Sequence, residues 1–266
     1  MHQAQFKRTF EEARCRAYSR HLIFVDIAML KIKAKNMNKK QPIPKLRSDG
    51  KVTRDRILLA AEELFSKDGF SGVSLRKITG EAGVDLALIK YYFGSKEGLF
   101  GEVLSRRVDK MSLQRLESLA KTDIIEGSAD TVRSLLSLFL APMLGNSPQE
   151  MEELHNYRLL IALVTNSKTW QDEVFKQHYD PVAVKFIDTL AKTLPEVSWI
   201  DICWAFSFFL GSVVNVVAET GRIDRLSNGK CRSTDLQEAC RQLIQYSVGA
   251  FMGLPAASER HRRNDQ

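Results

Sequence analysis

From Thr53 onward the chain carries apolar residues at helical spacing almost without interruption. Ile57, Ala60, Ala61, Leu64 and Phe65 fall at i, i+3, i+4, i+7 and i+8, a single stripe along one helix face. Thr53 is the expected N-cap, because a hydroxyl there accepts from a free first-turn amide. Gly69 is the expected stop, because glycine enters a left-handed C′ conformation without strain. Ser74 then caps a second, short helix, LRKITGEA, in which Leu75, Ile78 and Ala82 renew the stripe until Gly83 ends it. Asp85 caps a third, LALIKYYF, which breaks at Gly94, and Ser95 caps a fourth with Glu97 in its electropositive first turn. Further helices are expected over 96–119, 129–144, 148–166, 171–193, 197–220 and 234–252, divided by glycine-, proline- and asparagine-bearing breaks. No segment of any length alternates with a strand period, and there is no internal repeat. The expected fold class is all-α.

Residues 74–93 read as helix, glycine-containing turn, helix. That is a helix-turn-helix, whose second helix can lie in a DNA major groove. Ile89 and Phe93, at i and i+4, are expected to join Ile57, Leu64, Phe65 and Ile78 in a small core. Asp85, Leu86, Ala87, Lys90 and Tyr91 are then left outside. Lysine and tyrosine there can reach phosphate oxygens, and Leu86 and Ala87 can touch thymine methyls. The next helix opens at Ser95–Lys96 with free amides and a cation, an anion site. Spacing alone leaves an alternative open, in which the Tyr91-Tyr92-Phe93 run is packing inside an ordinary helical hairpin.

Charge sharpens the choice. The 266 residues carry a net +7, and the first 50 hold twelve Lys/Arg against four Asp/Glu. Residues 111–266 hold sixteen against nineteen, so the basic excess sits at the N-terminal side, as a polyanion partner would require. Four scattered cysteines with no Cys-x-x-Cys pair fit a reducing cytoplasm, with no disulfide framework, metal site or cofactor expected. The longest uncharged run, 202–218, is shorter than the roughly 20 apolar residues of a membrane span and contains Ser207, Gly211, Ser212 and Asn215. It is read as a buried helix, with no membrane partner. The apolar stretch within 14–35 is broken by Asp26 and has no small-residue cleavage site, so it is not read as an export signal.

The expected layout is a basic, unstructured extension over 1–50, a helix-turn-helix domain over 51–111, a helical domain over 112–254 and a polar tail over 255–266. Within the extension, residues 1–36 are either an extra basic helix or the product of an upstream start, with Met37 the alternative first residue. Enzymatic motifs are absent. Ser74-x-x-Lys77 matches a catalytic pattern, but it begins the second helix, where Ser74 is a cap. His155 and His178 are read as lying on solvated helix faces.

The blocks ILLAAEELFSKDGFSGVSLRKITGEAGV and YYFGSKEGLF, over residues 53–100, resemble the DNA-binding domain of the TetR (tetracycline repressor) family of bacterial transcriptional regulators. The resemblance implies that the third helix enters the major groove, with Ser74 and Arg76 as phosphate contacts. It places Asp85, Leu86, Ala87 and Lys90 toward the groove, Tyr91 and Tyr92 beside them, and Lys96 on the backbone. Lys90 departs from the tyrosine or asparagine common at that position. A lysine keeps a phosphate contact, and the base preference stays open. The family's C-terminal helices bind ligands and dimerise. Here the 197–220 and 234–252 helices are the expected homodimer face, with Ser207 and Gly211 allowing close approach. Burial of both helices within one protomer is the alternative. The 157–213 region resembles, more loosely, the fatty-acid-responsive subgroup. That likeness implies a small hydrophobic effector, in a pocket drawn from Leu160, Leu163, Phe175, Tyr179, Phe186, Phe206 and Phe209. The expected function is a repressor that binds a palindromic DNA operator as a homodimer and is released by ligand. The alternative is an all-helical carrier or enzyme that binds no DNA.

Overall fold

Twelve residues after Ile57, glycine breaks the chain as the stripe requires. The computed structural model describes residues 48–257 except 166, 168 and 169, and leaves the side chains of 48, 49 and 171–174 undescribed. Helix α1 spans Ser48–Gly72 and is interrupted at Gly69, whose φ of 68° and ψ of 175° are not helical. Thr53 lies inside α1 and is not its cap. Periodicity misses this early start because the first turns are solvated and carry no apolar stripe to detect. Helices α2 (Leu75–Ala82), α3 (Leu86–Phe93) and α4 (Lys96–Leu119) follow. Their caps are the expected ones. Ser74 accepts from the Lys77 amide at 3.1 Å, Asp85 from Ala87 at 2.7 Å and Ser95 from Gly98 at 3.1 Å. Gly83 ends α2 in the left-handed region, at φ 61°.

Ile57, Leu64, Phe65, Ile78 and Ile89 are buried together, and Phe65 meets Phe100 of α4 edge-to-face at 4.8 Å. Phe93 differs from expectation: it is only half-buried and lies beneath the Arg54 guanidinium, 5.3 Å from the ring centroid. The last turn of a two-turn helix has already passed the edge of so small a core.

The C-terminal helices are α5 (Ala129–Leu144), α6 (Pro148–Glu153), α7 (His155–Val164), α8 (Asp180–Thr193), α9 (Trp199–Val217), α10 (Arg222–Leu226) and α11 (Leu236–Met252). A π-helical segment, Gln171–Tyr179, leads directly into α8. The expected single helices over 148–166 and 171–193 are therefore each divided, the first at Leu154 and the second at Asp180. Pro181, with no N–H to give, sits where the π-helix narrows into α8. The break before α11 also holds the five-residue α10, too short for periodicity to register.

Phe139 of α5 is the centre of the C-terminal core. Its ring is met edge-on by Phe186 of α8 at 5.1 Å and by Phe206 of α9 at 5.3 Å. Two bridges tie this core to the helix-turn-helix. Helix α1 packs along α7, and α4 runs from the helix-turn-helix into the core. Arg107 of α4 holds the buried Glu62 of α1 with two bonds, Nε–Oε2 3.1 Å and Nη2–Oε1 3.0 Å. All described residues fall in one compact unit, Lys45–Gln266. Among them there is no strand, only an isolated bridge between Val197 and Ala256. Residues 48–50, expected to belong to an unstructured extension, are instead the first residues of α1; the rest of the extension and most of the polar tail lie outside the described residues.

Candidate nucleic-acid interface

Three short-range caps fix the orientation of α3, and its outer face is then set by helical geometry. Buried Ile89 anchors it, while Asp85, Leu86, Ala87, Lys90 and Tyr91 all face solvent, Leu86 at 43% and Tyr91 at 62% exposure. A shallow groove between α2 and α3 is lined by Ser74, Leu75, Arg76, Leu86, Ala87, Ile89, Lys90 and Gly94. Five of the site residues expected from the sequence, Ser74, Arg76, Leu86, Ala87 and Lys90, thus line one groove. Leu75 and Gly94 belong to it as well; the signal for both was the turn that brings α2 against α3. Tyr92 is half-buried and meets Tyr91 edge-on at 4.9 Å, which holds the Tyr91 ring outward.

Pairing distinguishes the cations. Lys77 is held by Asp68 at 2.6 Å, Lys67 by Glu63 at 2.7 Å and Arg54 by Glu102 at 2.6 Å. Arg76 and Lys90 are exposed and have no acidic partner among the described residues, so their charge is available to a polyanion. Lys96 is half-buried, with its ammonium 4.3 Å from the Phe70 ring centroid. That cation–π contact holds it at the junction of α1 and α4, just past the α3 C-terminus.

Residues 57–103 match the family model described as "Bacterial regulatory proteins, tetR family", and 137–250 match "Tetracyclin repressor-like, C-terminal domain". Together these cover more than half of the chain. The chain belongs to the TetR family. Two relatives named as HTH-type regulators and one solved structure illustrate the range. The Bacillus subtilis protein named "Probable HTH-type transcriptional regulator YttP" is 29% identical over 125 residues, 47% of this chain and 55% of its own length. The repressor NicS of Pseudomonas putida is 52% identical over 52 residues, 20% of this chain and 24% of its own. The chain thus spans about half of the first and a quarter of the second. The fatty acid degradation regulator FadR from Bacillus halodurans shares the fold, with a TM-score of 0.54 and 18% identity over 77% of this chain and 97% of that one.

Among the described residues, the seven expected pocket residues fall at several places in the C-terminal half, with Phe209 at the edge of a groove between α9 and α11. Phe186, Phe206 and Phe209 are all but fully buried around Phe139. Leu160 is buried against α1, and Leu163 beside it is 54% exposed; both line an open cleft with Phe70, Phe100 and Trp170. Phe175 stacks on Tyr179 at 4.6 Å, and the Tyr179 hydroxyl meets that of Tyr157 at 2.6 Å. Helical spacing could place each residue on an apolar face but could not say which faces meet.

Sequence reading passed over Arg115. Leu104, Val108, Met111 and Arg115 fall at i, i+4, i+7 and i+11 on α4, so an arginine on the apolar stripe was the available signal. It is 3% exposed; its Nε donates to the Phe139 carbonyl at 2.7 Å and its guanidinium lies 4.4 Å from the Phe139 ring centroid. Burial lowers its pKa, raises that of Tyr157 to about 12 and raises that of Tyr179 well above the usual phenol range. His178 also departs from the reading of a solvated face. Its side chain is 11% exposed and its Nδ1 lies 2.8 Å from Asp109 of α4. Among the described residues no group of three or more His, Cys, Asp or Glu is placed to hold a metal ion.

Helix α9 has two apolar faces. Ile202, Phe206, Phe209 and Val213 point inward, while Trp204 (58%), Phe208 (67%) and, from α11, Tyr246 (72%) point outward. These outer rings line a groove of about 500 Å³ between α9 and α11. The helix is long and apolar enough to cross a membrane, with a mean hydropathy of 1.8, yet only a third of that stretch is buried within the protomer. The expectation of a buried helix therefore holds for one face only.

Proposed function

We propose that this chain is a cytoplasmic DNA-binding transcriptional regulator that represses from a palindromic operator as a homodimer. The observation that carries this reading is the α3 face itself. Arg76 and Lys90, two cations with no acidic partner among the described residues, and the exposed Tyr91 surround a helix whose caps fix its angle. Ser74, Arg76, Lys90 and Tyr91 bind phosphates; Leu86 and Ala87 lie against base edges; Lys96 supports the backbone contact from the start of α4. The Asp85 carboxylate is engaged by its own helix and acts as a cap rather than as a base contact. The partner protomer covers the outer α9–α11 face, because aromatic side chains of this size left open on adjacent helices mark an interface. A two-fold dimer then presents two α3 helices to successive major grooves. A small hydrophobic effector held among the C-terminal helices favours a dimer with the wrong α3 spacing and releases the DNA.

Selection from a random DNA pool, followed by titration of the selected site at two salt concentrations, tests the reading. A palindromic site should emerge, bound by two protomers, with affinity falling steeply as salt rises. Lys90→Ala combined with Tyr91→Ala should weaken binding by about tenfold or more. Unchanged affinity in that variant removes the assigned surface.

A further inference from the structure

The solvent-facing stripe of α9 is uneven along its length. Trp204, Phe208, Gly211 and Asn215 follow one another at i, i+4, i+7 and i+11, and all four are exposed. The first two carry large rings, the third has no side chain and the fourth a small polar one. On α11 the same asymmetry recurs, with Tyr246 beside the rings and Gln242 and Ala239 toward the other end.

The bare end is hollow. A groove of about 1050 Å³ opens there between the end of α9, the short α10 and the start of α11. It begins one turn beyond the aromatic groove: Ser212 and Tyr246 line the first, Asn215 and Gln242 the second. Ile223 and Leu226 of α10 form an apolar wall and are 46% and 70% exposed. Arg222, Lys230 and Arg232 line it too, with no acidic partner among the described residues. Its two carboxylates are engaged: Asp235 accepts from the Glu238 amide at 3.1 Å, and Glu238 accepts two bonds of 2.7 Å from Arg241. Apolar walls flanked by cations suit aromatic rings, which bury hydrocarbon and offer a negative face to a cation.

We propose that two copies of this chain pair α9 antiparallel about a two-fold axis beside Gly211 and Ser212, so that Trp204 and Phe208 of each enter the groove beside α10 of the other. The inference rests on the homodimer reading and adds to it which ends meet. A two-fold contact is made twice, and the antiparallel arrangement gives each copy both rings to insert and a hollow to receive them. A parallel arrangement sets ring against ring and leaves both hollows open. One protomer gives no reason for a glycine inside α9, since a Cβ at Gly211 meets nothing within 4 Å. A second helix crossing there does, because only glycine lets a backbone come that close. Residues 258–266 hold no apolar side chain, so that segment offers the rings nothing to bury against.

Cross-linking of the full chain reads the arrangement. Trp204→Cys and Thr220→Cys are prepared singly and co-expressed, in a background of Cys15→Ser, Cys203→Ser and Cys231→Ser, and treated with a short bis-maleimide. Residue 204 of one copy then lies beside residue 220 of the other, whereas the two copies of residue 204 are about 24 Å apart along the helix. A covalent dimer should form in the co-expressed protein and in neither single preparation. Gly211→Trp should keep its helical content and weaken the dimer by about tenfold or more in sedimentation, because its new ring has room in one protomer and none at the axis. The proposal is overturned if Trp204→Cys cross-links with itself, if the co-expressed protein gives no covalent dimer, or if Gly211→Trp dimerises as the wild type does. A wild type that sediments as a dimer in those cases keeps the homodimer reading without this arrangement; one that sediments as a monomer removes both.

Discussion

Gly98 shows how one atom can decide a junction. A Cβ there would run into the Phe93 carbonyl oxygen at the end of α3, whereas a Cβ at Gly101, one turn on, meets nothing within 4 Å. Gly98→Ala should therefore cost about 1–3 kcal/mol through overpacking and shift α3 against α4. Gly101→Ala should be neutral or stabilising by up to about 1 kcal/mol, because alanine favours a helix interior. Thermal melts of both variants check the pair; a stable Gly98→Ala would remove the close approach. The hydrogen-bonded pair Tyr157 and Tyr179 gives a second residue-scale expectation. For Tyr157 the folded pKa lies above the unfolded value, so its stabilising effect is complete below about pH 10 and is lost as pH rises toward about 12. Absorbance at 295 nm should show two of the six tyrosines ionising only as helical circular dichroism disappears. All six titrating together near pH 10 with the fold intact would contradict the raised pKa of this pair.

At the scale of elements, the caps were legible because each is local. Ser74, Asp85 and Ser95 bond to amides two or three residues away, so the chain alone specifies where α2, α3 and α4 begin. The clamp between α1 and α4 was not legible, since Glu62 and Arg107 are 45 residues apart and each resembles a solvated helix charge. Glu62 is 3% exposed, so Arg107→Met leaves a buried carboxylate without its cation and should destabilise by about 3–5 kcal/mol. Adding Glu62→Leu should recover most of that loss, because the double change removes the charge along with its partner. Denaturant midpoints of the wild type, the two single variants and the double variant close the cycle. Additive losses would show that the two side chains do not depend on each other.

For the whole molecule, the open question in the sequence was whether α9 and α11 bury themselves or a partner. The inner rings of α9 pack on Phe139 and the outer rings face away, so a single protomer satisfies only half of the helix. Trp204→Glu with Phe208→Glu leaves the inner packing untouched. The variant should keep its helical content, sediment as a monomer and lose most operator affinity, because one protomer offers one recognition helix. A variant that stays dimeric would move the interface elsewhere.

The boundary between what the chain states and what the fold decides follows the range of the interactions. Sequence alone determined the all-helical class, the helix-turn-helix and the outward set on α3, because caps, glycine stops and stripe periodicity act within a few residues. It did not determine the start of α1 or the π-helical turn before Pro181, where the signal is weak or the hydrogen-bond shift is small. Nor could it sort the aromatic residues of the C-terminal half. Phe206 and Phe208 look alike in the sequence, yet one is 1% exposed and the other 67%, because their neighbours come from different helices. Arg115 marks the same limit most sharply. Its place on the α4 stripe is written in the sequence, but only the packing of α4 against α5 brings its Nε to the Phe139 carbonyl.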